Sequence, residues 1–201
     1  MKFTLDQLQR DVMARLGEIP RPLSLHESED IPSACEVMRN VISSLLPCEG
    51  TKLIKEANQE MLGGGEEWAG IVEKRLMPCG LYAAEVGLPE SFLRLVSAKL
   101  SCWRRSVCRL ISPGDPEWPR QWSSEPGIAG NPDRPRVYLD GDGDCLKLRM
   151  SGSEDPDYEI DRVCICAIPA VGEDGGFMFP PSLYVDLVDK ISGKIIALSS
   201  D

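Results

Sequence analysis

The feature that most constrains the fold is the order of textures along the chain. Helix-period patterns come first, Pro- and Gly-punctuated strand patterns fill the middle, and one apolar helix from Pro181 to Ser199 closes the sequence. A return to helix after a long β-rich excursion points to an α+β protein: a small helical bundle, built from the N-terminal helices plus the C-terminal helix, with an inserted antiparallel β-rich domain. The expected boundaries are 1–65 for the N-terminal helical part, 66–178 for the β-rich insertion with its long Pro-rich loop, and 179–201 for the C-terminal helix packing back on the bundle.

Local signals set the elements. Thr4 and Gln7 form a capping-box pattern, and Leu5, Leu8, Val12 and Leu16 line one face of a first helix that Gly17 can stop. A second helix is expected from Ser33, with Val37, Val41, Ile42 and Leu45 on its apolar stripe. Pro47 and Gly50 are expected to break it before a third helix over 51–62. Strand patterns follow over 68–76, 80–86, 92–100, 105–111, 136–139, 145–150 and 159–168. In the 145–150 segment Leu146, Leu148 and Met150 are expected to face in, with Lys147 and Arg149 facing out. Residues 112–135 hold Trp118 and Trp122 among several prolines and read as a long loop, a kind of segment that is usually functional or ordered by a partner. In the last helix Leu183, Leu187 and Ile191 belong to a wide apolar face, and Gly193 is expected to admit a neighbouring helix of this chain or of another copy.

Composition is that of a globular chain: 201 residues, 42% hydrophobic and 27% charged. The net charge of -10 argues against coating nucleic acid by bulk electrostatics. The charge is unevenly distributed: residues 91–111 carry Arg94, Lys99, Arg104, Arg105 and Arg109 and no acid, whereas 112–161 is strongly acidic. Two readings fit this asymmetry, complementary docking faces or solvated strand faces. The N-terminus lacks the apolar stretch of a secretory signal and no apolar run is long enough to span a bilayer, so a chain made and kept in a cytoplasm is expected. The eight Cys form no C-x-x-C pair, and they are expected to be reduced and mostly buried.

Chemical motifs are weak. Asp140-Gly-Asp-Gly-Asp144 starts like a calcium loop, but Cys145 and Ser151 stand where such a loop needs Gly and Glu, so a hairpin turn is expected. His26, the sole histidine, has no nucleophile motif around it. No catalytic residue, cofactor or metal is expected. The candidate interface residues are Trp103, Arg104 and Arg105, an aromatic beside two guanidinium groups that reads more strongly as a strand corner with a packed Trp, together with Trp118 and Trp122, which read equally as interface anchors or as folded back onto their own sheet, and Leu183, Leu187 and Ile191 on the closing helix.

The run Gly87-Leu-Pro-Glu-Ser-Phe-Leu-Arg-Leu-Val96 resembles a phrase of the head-to-tail connector proteins of tailed bacteriophages, the adaptor or head-completion proteins beneath the portal. Trp103-Arg-Arg-Ser-Val107, Gly130-Asn-Pro-Asp-Arg-Pro135, Leu146-Lys-Leu-Arg-Met150 and Phe179-Pro-Pro-Ser-Leu-Tyr-Val-Asp-Leu-Val188 follow in the order of that plan. The resemblance implies a non-enzymatic virion structural protein, made in the bacterial host cytoplasm and placed at the head–tail junction. It further implies a ring of copies of this chain, contacts with a portal protein and with a tail or neck protein, genomic DNA passing without specific binding, and no membrane. The chain departs from the family plan in its eight Cys and in stopping at Asp201, where the family often carries a longer closing helix or tail. A different class, a soluble β-rich peptide- or glycan-binding module gripping its ligand through the Trp118/Trp122 loop, fits the same residues. A hydrolase using clustered carboxylates has the weakest support.

Overall fold

The computed structural model describes residues 1–17, 34–141 and 146–199. His26, the expected start of the second helix at Ser33, and most of the Asp140–Asp144 stretch lie outside them. In chain order the strands and helices are β1 (Lys2–Thr4), α1 (Leu5–Arg15), α2 (Ala34–Glu56), β2 (Glu66–Glu67), β3 (Val72–Leu76), β4 (Tyr82–Gly87), β5 (Phe92–Leu100), β6 (Leu110–Ile111), α3 (Pro126–Ala129), β7 (Val137–Asp140), β8 (Lys147–Ser153), β9 (Ile160–Ala167), β10 (Gly176–Met178) and α4 (Tyr184–Leu198). The chain is α+β and divides into two units: Met1–Gly63 with Ala167–Asp201, and Gly64–Cys166.

The first unit is helical and is assembled from both ends of the chain. Thr4 caps α1, its hydroxyl accepting from the Gln7 N–H at 3.2 Å. The periodic Leu5, Leu8 and Val12 are buried together with Ile42, Leu46 and Ile54 of α2 and with Leu187 and Ile191 of α4. Both α1 and α2 pack on α4. Phe3 stacks on Tyr184 with ring centroids 4.2 Å apart. β1 pairs antiparallel with β10, Phe3 opposite Phe177. This pairing draws the return segment from residue 167 onward into the helical unit, whereas the expected insertion ran to residue 178.

Two expectations for the helices are overturned. Pro47 does not end α2, which runs unbroken from Ala34 to Glu56. A proline within a helix removes one N–H, here the partner of the Ser43 carbonyl, and burial of Ile42, Leu46, Leu53 and Ile54 holds the helix together across it. Gly50 is a packing residue rather than a stop, since a Cβ there would stand 2.5 Å from Pro169 Cγ and 3.2 Å from Phe179 Cε2. Gly193, by contrast, meets no helix of its own chain: a Cβ there meets nothing within 4 Å among the described residues, and the position is exposed. Gly193→Ala is therefore expected to stabilise the helical unit by about 1 kcal/mol, through helix propensity alone. A raised urea midpoint with unchanged slope is the check.

The second unit holds two sheets. One has the strand order β2-β9-β5, and the other β3-β4-β8-β7-β6 with all neighbours antiparallel except β6 and β7. The expected 136–139 and 145–150 hairpin is present as β7 and β8, with Leu139 opposite Leu148 and Val137 opposite Met150. One face of the five-stranded sheet contributes Ala84, Val86, Val137, Leu148 and Met150 to a core shared with Leu95, Ala98 and Leu100 of β5 and Val163 and Ile165 of β9. Alternation accounts for this face, because side chains two apart point the same way.

The 112–135 stretch is not structureless. It contains a 3₁₀ turn over Trp118–Trp122 and the short α3. Cys164 and Cys166 are buried and free, but Cys48 and Cys108 are exposed, and Cys35, Cys79 and Cys102 are half-buried. The thiols are thus less buried than composition led one to expect, because five of these seven sit in turns, loops or on the outer side of α2 rather than in central strands.

Candidate functional site

The second face of the five-stranded sheet carries the polar centre of the molecule. Pleat and register put Glu85 of β4, Arg149 of β8 and Tyr138 of β7 directly across from one another. Arg149 was expected to point to solvent, yet it is 1% exposed. The residue does point away from the apolar core, as alternation requires. What alternation could not show is that the 3₁₀ turn Trp118–Trp122 and α3 cover that face.

Arg149 is fully engaged. Its Nε donates to Glu85 Oε1 at 2.9 Å, its Nη1 to Gln121 Oε1 at 2.6 Å, and its Nη2 to Asp140 Oδ2. The guanidinium also lies over the Trp122 ring, 4.4 Å from the centroid. A buried charge persists only when paired and hydrogen-bonded, and here two carboxylates and an amide oxygen supply that. Glu85 has two further cations at longer range, Arg75 at 3.8 Å and Lys147 at 3.9 Å. Gln121 is buried too, and its Nε2 has no hydrogen-bond partner among the described residues. With Met77, Leu81, Ala83, Ala129 and Tyr138 it lines a small open pocket with space for a single water-sized group.

The covering segment is pinned at several points. Trp118 Nε1 donates to the Leu139 carbonyl at 2.9 Å, and Tyr138 Oη donates to the Ala129 carbonyl at 2.9 Å. Glu117 gathers Arg109 at 3.4 Å, Arg120 at 3.2 Å and Arg136 at 3.2 Å. The Glu117 backbone N–H, followed by the Arg109 guanidinium, holds the Asp115 carboxyl below its usual range. These contacts make the network a clamp that fastens the tryptophan segment to the sheet. It contains no nucleophile next to a base.

The structure places the sequence candidates unevenly. Trp118 and Trp122 come together in one turn, Trp122 on Arg149 and 43% exposed. Trp103 is buried, donating from Nε1 to the Ser151 carbonyl at 2.6 Å, so it anchors the core rather than offering a stacking surface. Arg104 and Arg105 are exposed, Arg104 3.3 Å from Asp133. Leu183, Leu187 and Ile191 are buried within the helical unit and present no outward surface. On the same helix the outward apolar side chains are Val185, Ile196 and Leu198.

Sequence reasoning missed Arg149, Glu85, Gln121 and Asp140. One signal was present: Glu85 is the sole charge in the otherwise apolar Tyr82–Gly87 strand. The opposed charges of 91–111 and 112–161 also find each other inside this unit, as Lys99 with Asp161 at 3.0 Å, Arg104 with Asp133, and Arg109 with Asp115 at 2.9 Å. That pairing leaves less charge for complementary faces between molecules.

Burial pushes the phenols of Tyr138 and Tyr158 upward. Both donate hydrogen bonds in the fold, Tyr158 Oη to the Tyr82 carbonyl at 2.9 Å. A raised folded value means that the neutral form is favoured by folding. Their contribution is therefore complete below the unfolded phenol value of about 10 and is lost as pH rises above it. On alkaline titration, phenolate absorbance from these residues should rise together with loss of near-ultraviolet circular dichroism. Full ionisation with an intact dichroic signal would contradict this.

Among the described residues no helix is long and apolar enough to cross a membrane, and no group of three or more His, Cys, Asp or Glu side chains is placed to hold a metal ion. No protein-family model, curated protein or solved structure matches this chain.

Proposed function

We propose that the chain is a non-enzymatic structural adaptor of a tailed-phage virion, forming a ring that joins the portal to the tail at the head–tail junction. The observation that carries this reading is the architecture: a helical unit made from both chain ends, closed by α4, with a contiguous β-rich unit inserted between them. That is the plan implied by the ordered phrases from Gly87 to Val188. The net charge of -10 suits a channel through which DNA passes without sticking.

The peptide- or glycan-gripping alternative draws little support, since the Trp118 N–H is bonded to Leu139 and Trp122 stacks on Arg149. The test mixes the purified chain with a tailed-phage portal protein. Co-sedimentation and a ring of added density beneath the portal in negative-stain images are expected. A chain that stays monomeric and ignores the portal overturns the proposal.

A further inference from the structure

β3 is an edge strand of the five-stranded sheet, and all five of its residues are exposed. Ile71, Val72 and Leu76 are 81%, 47% and 59% exposed, an unusual apolar density for a strand edge. The main-chain pattern shows which groups are open. Met77 N–H donates to the Leu81 carbonyl, and Gly87 N–H donates to the Ile71 carbonyl. In an antiparallel ladder the bonded residues alternate, so Ile71, Glu73, Arg75 and Met77 turn their N–H and C=O groups toward β4. Val72, Lys74 and Leu76 turn theirs outward.

We propose that this edge pairs antiparallel with β3 of a second copy of the chain, about a two-fold axis at Lys74. The register follows from charge. With Lys74 opposite its own copy, Glu73 of each chain faces Arg75 of the other, Val72 faces Leu76, and Ile71 faces Met77. The three outward-bonding residues then oppose one another, as a ladder requires. Sliding by two residues in either direction sets Glu73 against Glu73 or Arg75 against Arg75, which is unfavourable. The one like pair in the chosen register is neutral in effect, because Lys74 Nζ is turned aside. It donates to the carbonyls of Pro156 and of Tyr158, the latter at 2.6 Å, and lies 4.5 Å from the centre of the Tyr158 ring. The contact is isologous and self-closing, so it yields a dimer with one continuous sheet and no open series. It stands without the adaptor reading, which requires a different, head-to-tail contact.

Sedimentation over a range of concentrations tests it, with E73R and R75E as variants. Each single swap places like charges at both ends of the seam and should weaken self-association about ten- to a hundredfold. An equimolar mixture of the two variants places opposite charges across every such pair and should regain association. Amide exchange on the unaltered chain supplies a readout that needs no variant: Val72, Lys74 and Leu76 should exchange more slowly at high concentration, while Glu73 and Arg75 are slow throughout. A chain monomeric at every concentration, self-association indifferent to both swaps, a mixture that fails to associate, or an edge protected only by some other polypeptide overturns the proposal.

Discussion

Arg149→Met should lower the stability of the β-rich unit by about 3–5 kcal/mol, the range for removing one partner of a buried ion pair. The loss comes from what stays behind. Glu85 is buried and would keep only the longer contacts to Arg75 and Lys147, both on partly exposed side chains. Gln121 would lose the donor to its Oε1, and Trp122 the cation beneath its ring. Asp140 matters less, since its carboxylate reaches solvent. The double variant Arg149→Met/Glu85→Leu should recover much of the loss, because a well-packed apolar pair replaces a buried ion pair at little cost. Urea unfolding followed by tryptophan fluorescence measures both. A single-variant loss below about 1 kcal/mol would mean that the network behaves like a surface ion pair.

Gly152→Ala is expected to cost about 3 kcal/mol, at the upper end for overpacking. A Cβ at this position of β8 would stand 1.9 Å from the Tyr82 carbonyl oxygen and 2.5 Å from Tyr158 Oη. The first contact is with backbone and cannot be relieved by a side-chain turn. The second breaks the hydrogen bond between Tyr158 and Tyr82 and drives the phenol out of the core. The variant should therefore melt at a lower temperature, and its Tyr158 should ionise closer to an ordinary phenol. A lowered melting point with an unmoved alkaline titration would place the strain elsewhere in β8. Gly193→Ala is the matched control, the same change at a glycine with open space around it.

Local rules made some of this legible and not the rest. The start of α1 could be read because capping and the Leu5, Leu8, Val12 spacing are properties of adjacent residues. The core face of β8 could be read for the same reason. α2 was misread at Pro47 because the penalty for proline is local and fixed, whereas the burial that outweighs it comes from other helices. Arg149 was misread because alternation assigns a side chain to a face and says nothing of what covers that face. Its cover comes from residues 118–129 and its charge partners from β4 and β7, all set by tertiary register. That the tryptophan segment folds back onto its own sheet was one of two readings open in the sequence, but its partners there, Leu139 and Arg149, are set by tertiary register and could not be read from it.

The discontinuity of the helical unit has a consequence for biogenesis. Residues 64–166 form a contiguous stretch with both larger sheets inside it, so every partner strand is present once that stretch has left the ribosome. The helical unit must wait, because β10 and α4 are synthesised after the β-rich unit and α1 and α2 have no closing helix until then. Vectorial synthesis thus favours completion of the inserted unit first, with the earlier helices holding an exposed apolar stripe in the meantime. Nascent chains stalled at the length where residue 166 has just cleared the ribosomal exit tunnel should already protect the β-rich unit from protease while α1 and α2 remain open to cleavage.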